Sequence, residues 1–197
     1  MNHTFITVVS GLPRSGTSMM MKMLEAGGMT PLMDNIRTAD VDNPNGYYEL
    51  ERVKKLPQGD SAWITDAQGK VVKIVAVFLP HLPTQFDYRV IFMQRAILEI
   101  TASQHTMLEH RGSNQQLSAD DLVSLFYKHL NQVDAWFKTQ PRVKRLDVNY
   151  NDLLKNPTPQ IENLRVFLDL ELDAEKMGMV VDPNLYRQRM SSEMPHS

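Results

Sequence analysis

"VVSGLPRSGTSMMMKMLEAGG", residues 8–28, decides the fold. The run "TFITVVS" (4–10) is apolar and β-branched and is bounded by Gly11 and Pro13, a pattern that predicts a short buried strand. From Thr17 the residues are strong helix formers, and Gly27 with Gly28 supplies the stop. Strand, glycine turn and helix in succession open an α/β unit. Gly11, Gly16, Thr17 and Ser18 fit the spacing G-x-x-x-x-G-K-[ST], except that Thr17 stands at the lysine position. The N–H groups of such a turn and the positive end of the following helix make a seat for an anion. A triphosphate relies on the missing lysine and on Mg²⁺. With Arg14 as the nearest cation, a less charged ligand without a metal suits the loop better. Taken alone, "PRSGTS" also fits a strand-to-helix turn that binds nothing.

Further along, "KVVKIVAVF" (70–78), "YRVIFMQ" (88–94) and "VKRLDVNY" (143–150) read as strands. Helical patterns alternate with them. One runs from Ala96 to about His110, a second from N-cap Ser118 through "ADDLVSLFYKHLNQVDAWF", and a third follows Pro157. This order predicts a three-layer α/β/α domain with a central parallel sheet and ligands at the carboxyl ends of its strands. Residues 30–48 carry turn formers and polar groups and read as a loop lining a site. No repeat or linker divides the chain, so residues 1–190 are expected to form one domain and 191–197 a frayed tail.

The chain has 197 residues, 42% of them hydrophobic, enough for one core without staples. It has no cysteine, which excludes disulfides, thiolate metal sites and thiol nucleophiles and favours a cytoplasmic setting. A formal charge of −2 gives no footprint for nucleic acid. The N-terminus lacks a charged leader followed by an apolar run, so no signal peptide is expected, and no stretch approaches the roughly 20 apolar residues of a membrane helix. "MMMKM" (19–23) is read as core filling rather than a soft metal site. His105 and His110 are five apart, a poor helical metal pair, and no metal is expected. Trp63 and Trp136 are expected to pack in the interior.

Several stretches together resemble sulfotransferases that use 3′-phosphoadenosine 5′-phosphosulfate, a family of P-loop-type fold. "PRSGTS" (13–18) is similar to their 5′-phosphosulfate loop, in the Pro-Arg form of Golgi and bacterial members. "YRVIFMQRAILEITASQ" resembles their 3′-phosphate segment, in which an arginine at a strand end is followed eight residues later by a helical serine, here Arg95 and Ser103. "LDVNYNDLLKNPTPQIENLRVFLDL" resembles their strand end and following helix, which implies Tyr150 beside the adenine. "VDPNLYRQR" (181–189) is similar to the tail of small bacterial members, with Arg187 placed to close on the 3′-phosphate. The resemblance thus implies nucleotide contacts from Pro13, Arg14, Ser15, Gly16, Thr17, Ser18, Arg95, Ser103, Tyr150 and Arg187. Three positions depart from the family: Met19 lies where cytosolic members carry an adenine-stacking tryptophan, Val75 where a histidine base follows the lysine kept here as Lys73, and Ala96 where an aspartate often follows the arginine.

The reaction implied is sulfuryl transfer to a hydroxyl or amine of a small-molecule or peptide acceptor, which needs positioning, stabilisation of the leaving oxygen and a base. Arg14 and Lys73 are the expected stabilisers. For the base the choice lies between Glu49 in "NPNGYYELERV" and His81 in "FLPHLP"; a solvated helix-start acid and a loop histidine are their plain structural readings. A catalytically silent nucleotide-binding module and a small nucleotide kinase stand as alternatives.

Overall fold

The structure is a computed structural model that describes residues 4–34, 36, 46–110 and 118–181. Among these residues four strands, β1 (Ile6–Gly11), β2 (Val71–Lys73), β3 (Tyr88–Gln94) and β4 (Val143–Asn149), form one parallel sheet in the order β2-β1-β3-β4. Both faces are covered, which is why β1 is buried at every position. Val9, Ile91, Met93 and Val148 point to one face, against α1 (Thr17–Ala26), α4 (Tyr150–Lys155), α5 (Pro157–Leu168) and α6 (Ala174–Met179). Ile6, Val8, Val72, Val90 and Phe92 point to the other, against α3 (Ala119–Phe137) and the 3₁₀ turns at 51–58, 62–67 and 76–81. α2 (Ile97–His110) packs on α3, with Ile100, Phe126 and Leu12 in one buried cluster.

The methionine run is core: Met19, Met20, Met21 and Met23 are buried while Lys22 faces solvent. Complete burial of side chains such as Met20, Met21 and Leu24 contributes about 1.5–3 kcal/mol each. Trp63 is likewise buried and donates its indole N–H to the Asp60 carbonyl at 3.1 Å. Ser118 caps α3 by accepting from the Asp121 N–H at 3.1 Å, and Pro157 opens α5.

One strand is shorter than its sequence pattern predicts. The run 70–78 pairs only from Val71 to Lys73, followed by a last bond from the Ile74 N–H to the Val9 carbonyl at 3.0 Å. β1 ends at Gly11 and turns away, so the chain beyond has little ladder to pair with and coils into the 3₁₀ turn 76–81, burying Ala76 and Leu79. At the other edge the strand closes at Asn149, one residue early, because Asn149 caps α4 by accepting from the N–H groups of Asn151 and Asp152. The 3₁₀ turns at 51–58 and 62–67 and helix α6 carry no signal that the sequence reading used. Most of the loop 30–48, Arg187 and the tail 191–197 lie outside the described residues.

The strand order positions the site. After β1 the chain moves to one side of the sheet and after β3 to the other, so the segments leaving their carboxyl ends diverge and leave a crevice between them. Gly11 pairs with Met93, so the turn after β1 and the residues after Gln94 emerge side by side.

Candidate active site

The turn after β1 closes with the Ser15 N–H on the Leu12 carbonyl at 3.2 Å, and Arg14 takes a left-handed φ of 67°. A bulky residue held there is strained, and such strain collects at functional sites. α1 then starts at Thr17 behind Gly16 (φ 99°), with no side chain capping it. Its first N–H groups therefore face the crevice as an anion seat. Gly16 is required twice over: its φ suits only glycine, and a Cβ there would sit 2.3 Å from the Tyr150 ring. Ser15 is buried and its Oγ has no hydrogen-bond partner. Pro13 is exposed, and Thr17 and Ser18 are partly buried.

A cation reaches this seat from the neighbouring strand. Lys73, 8% exposed at the end of β2, donates to Ser18 Oγ at 3.3 Å and to the Tyr47 carbonyl. Its Nζ lies 4.0 Å from Glu49 Oε1. The ammonium absent from position 17 is thus supplied from the side, with a carboxylate behind it. Tyr48, at a left-handed φ of 50°, ties the same segment to α1 through its hydroxyl on Glu25 Oε2 at 2.5 Å. Burial, with the Glu25 carboxylate beside it, pushes the Tyr48 phenol up.

On the β3 side, Arg95 Nη1 donates to the Arg14 carbonyl at 3.2 Å, and Arg14 Nε donates to Ser103 Oγ at 3.0 Å. The two segments read separately in the sequence, 81 residues apart, therefore meet in one cluster. Arg95 is further held by Glu99, whose Oε2 accepts from Nε at 2.9 Å. Asn151 Nδ2 donates to the other Glu99 oxygen at 3.2 Å. The Arg95 guanidinium lies 4.7 Å from the Tyr150 ring centre. Burial raises the Tyr150 phenol; Arg95 opposes the shift, Glu99 adds to it and Arg14 opposes it.

Arg14, Ser15, Gly16, Ser18, Arg95, Ser103 and Tyr150 therefore gather at the crevice, with Lys73 and Glu49 at its β2 side. His81 is different: it is exposed at the end of the 3₁₀ turn 76–81, and none of the described hydrogen bonds or ion pairs ties it to the loop. Arg187 is outside the described residues. Glu99 and Asn151 were missed by sequence reasoning, although Glu99 is four residues from both Arg95 and Ser103, spacing that puts all three near one face. The Tyr47 carbonyl had no signature at all. Among the described residues no group of three or more His, Asp or Glu could hold a metal, and no helix is long and apolar enough to cross a membrane.

Among curated proteins none matches the chain significantly in sequence. Among solved structures, the sulfotransferase domain from the curacin biosynthetic pathway is similar at a TM-score of 0.55 and 14% identity, over 100% of this chain and 94% of that one. Retinol dehydratase, solved in complex with androsterone and the inactive cofactor PAP, is similar at a TM-score of 0.50 and 18% identity, over 95% of this chain and 65% of that one. These identities speak for the fold alone, and they bear out the parallel α/β architecture. The sulfotransferase domain family matches residues 6–194, nearly the whole chain, and the protein is therefore a member of the sulfotransferase family, an α/β transferase of sulfuryl groups with a nucleotide phosphosulfate as donor.

Proposed function

We propose that this chain moves a sulfuryl group from 3′-phosphoadenosine 5′-phosphosulfate to a hydroxyl or amine of a small-molecule or peptide acceptor, with Glu49 as the base. The observation that carries the reading is the bond from Arg95 to the Arg14 carbonyl, because it joins the anion seat of α1 to the arginine–serine segment within the span of one doubly phosphorylated nucleoside. The donor, when bound, supplies a sulfuryl group on a phosphate oxygen that must leave as an anion.

The residues present suit such a ligand. The uncapped N–H groups of α1 and the buried Ser15 hydroxyl hold its 5′ end. Arg95 and Ser103 hold the 3′-phosphate by charge-assisted hydrogen bonds, and Tyr150 lies beside the base. Lys73 stabilises the charge that collects on the leaving oxygen, and its contact with Ser18 places it at the α1 end. Glu49 takes the acceptor proton, since its carboxylate lies beside Lys73 while exposed His81 has no described tie to the site. The cysteine-free composition supports a cytoplasmic location.

The test is thermal and chemical. Adenosine 3′,5′-bisphosphate is expected to raise the melting temperature while ATP with Mg²⁺ does not, and the reverse would favour a nucleotide kinase. Transfer of ³⁵S-labelled sulfate from the donor to a panel of alcohols, phenols and amines is expected. Tight binding without any transfer would leave a silent nucleotide-binding module. With an acceptor found, Glu49→Gln is expected to lower turnover about 10²–10⁴-fold with bisphosphate affinity kept, whereas His81→Gln is expected to leave both unchanged.

A further inference from the structure

Resting on that reading of the site, we infer that Asp34 is a positioning residue for the transfer: it fixes the main chain that carries Glu49, and so the place of the Glu49 carboxylate beside Lys73. In the sequence Asp34 is one polar residue of the stretch 30–48. In the structure its own N–H donates to the Glu49 carbonyl at 3.2 Å, its Oδ2 accepts from the Glu51 N–H at 2.6 Å and its Oδ1 accepts from the Ile36 N–H at 3.1 Å. One residue thus holds both peptide groups that follow Glu49, although Asp34 and Glu51 are 17 residues apart.

Two observations make Asp34 more than a helix cap. The 3₁₀ turn 51–58 opens after Leu50, which offers no capping side chain, so its first N–H needs an outside acceptor. That need accounts for Oδ2 but not for the bond to the Glu49 carbonyl. Asp34 also leaves directly from the sheet edge: Pro31 bridges Val71 in parallel, the Leu32 N–H donates to the Val71 carbonyl at 2.8 Å and the Val71 N–H donates to the Thr30 carbonyl at 3.0 Å. Further along the same strand stands Lys73, which donates to the Tyr47 carbonyl and lies 4.0 Å from Glu49 Oε1. One edge therefore sends two supports to Glu49, Lys73 to its side chain and the residues before it, Asp34 to the main chain after it. Glu49 lies on irregular chain, and Lys54 at 3.7 Å competes for its carboxylate. A base must stay within hydrogen-bond reach of the proton it removes.

The test measures ³⁵S transfer from the donor to the best acceptor of the panel, or to water where none accepts, alongside calorimetric titration of the full chain with adenosine 3′,5′-bisphosphate. Asp34→Ala leaves only the single main-chain bond to Glu49, and it is expected to lower turnover about 10–10²-fold with bisphosphate affinity and the donor KM kept. Asp34→Asn, which retains one side-chain acceptor, is expected to recover part of the loss. The deciding measurement is the double variant. In a Glu49→Gln background, adding Asp34→Ala is expected to leave turnover where Glu49→Gln alone puts it, because no base remains to be positioned. Fully additive losses would overturn the proposal, as would wild-type turnover in Asp34→Ala or an equal loss of bisphosphate affinity. Should Asp34→Ala melt early, Asp34→Asn gives the same cycle. If Glu49→Gln alone keeps wild-type turnover, or the wild type transfers to neither acceptor nor water, the reading of the site falls and this inference with it, a failure seen before any Asp34 variant is made.

Discussion

Across the crevice, residues 95–103 and residues 46–50 hold their polar groups in contrasting ways. In the first segment Arg95 and Glu99 are nearly buried, at 8% and 3% side-chain exposure, and locked to each other, to Asn151 and to the Arg14 carbonyl. All of these stand at the ends of regular elements whose positions the sheet dictates. In the second, Tyr47, Tyr48 and Glu49 lie on irregular chain, held by Lys73 on the Tyr47 carbonyl, by the Tyr48 phenol on Glu25 and by the Asp34 N–H on the Glu49 carbonyl at 3.2 Å. Glu49 is shared between Lys73 at 4.0 Å and Lys54 at 3.7 Å, and the Lys54 ammonium is half in solvent. On the proposed assignment of the site, the contrast separates a preformed nucleotide side from a less regular acceptor side. A nucleotide common to a whole family rewards fixed geometry, whereas acceptor choice is set by loops on that scaffold.

The change expected to break this contrast most strongly is Arg95→Ala. It removes the proposed phosphate ligand and strands the Glu99 carboxylate, and breaking a buried ion pair from one side costs about 3–5 kcal/mol. The bisphosphate-induced thermal shift is expected to vanish and the apo melting temperature to fall. If the variant melts like the wild type, the pair is not the structural anchor inferred here. Glu99→Gln, which keeps a polar partner for Arg95 and Asn151, is expected to melt closer to the wild type than Arg95→Ala does.

A smaller effect is expected at the joint between the two sides. Gly16→Ala forces a side chain into a left-handed φ and against the Tyr150 ring at 2.3 Å, and strain of this type costs on the order of 1–3 kcal/mol. Because the ring must shift, bisphosphate binding should weaken together with stability. Unchanged affinity in calorimetry would mean that Tyr150 does not border the nucleotide.

The same contrast explains what the sequence revealed. The β-branched runs at 4–10 and 88–94 became strands because partners lie on both sides of each. The equally apolar run 74–78 did not, since β1 turns away at Gly11 and the core needed Leu79 and Ala76 more than the edge needed a longer strand. Arg95 and Ser103 were legible because their spacing is fixed by a strand end and a helix. Glu99 had the right spacing too, but a carboxylate beside an expected phosphate argues against itself until its bond to Arg95 is seen. The contact of Lys73 with the Tyr47 carbonyl was not legible, because a backbone acceptor on irregular chain leaves no residue-type signature. Nor did spacing show that the Arg14 guanidinium reaches Ser103 on α2.

The smallest expected effect is at the Tyr150 hydroxyl and is visible only in alkali. Burial raises this phenol above its ordinary value of 10.0, Glu99 adding to the shift while Arg95 and Arg14 oppose it. A group raised on folding stays protonated in the native state after its unfolded counterpart has begun to ionise. Its stabilising contribution is therefore complete below pH 10 and is lost as pH rises through the folded value. Tyr150→Phe keeps the ring that covers Gly16 and faces Arg95, so near neutrality its melting temperature should stay close to that of the wild type. Above pH 10 the wild type should lose stability more steeply than the variant, while buried Tyr88, whose phenol is raised by the same cause, contributes equally to both curves. Parallel curves would show that the hydroxyl reaches solvent, and the tight packing of Tyr150 between the anion seat and Arg95 would then apply to the ring alone.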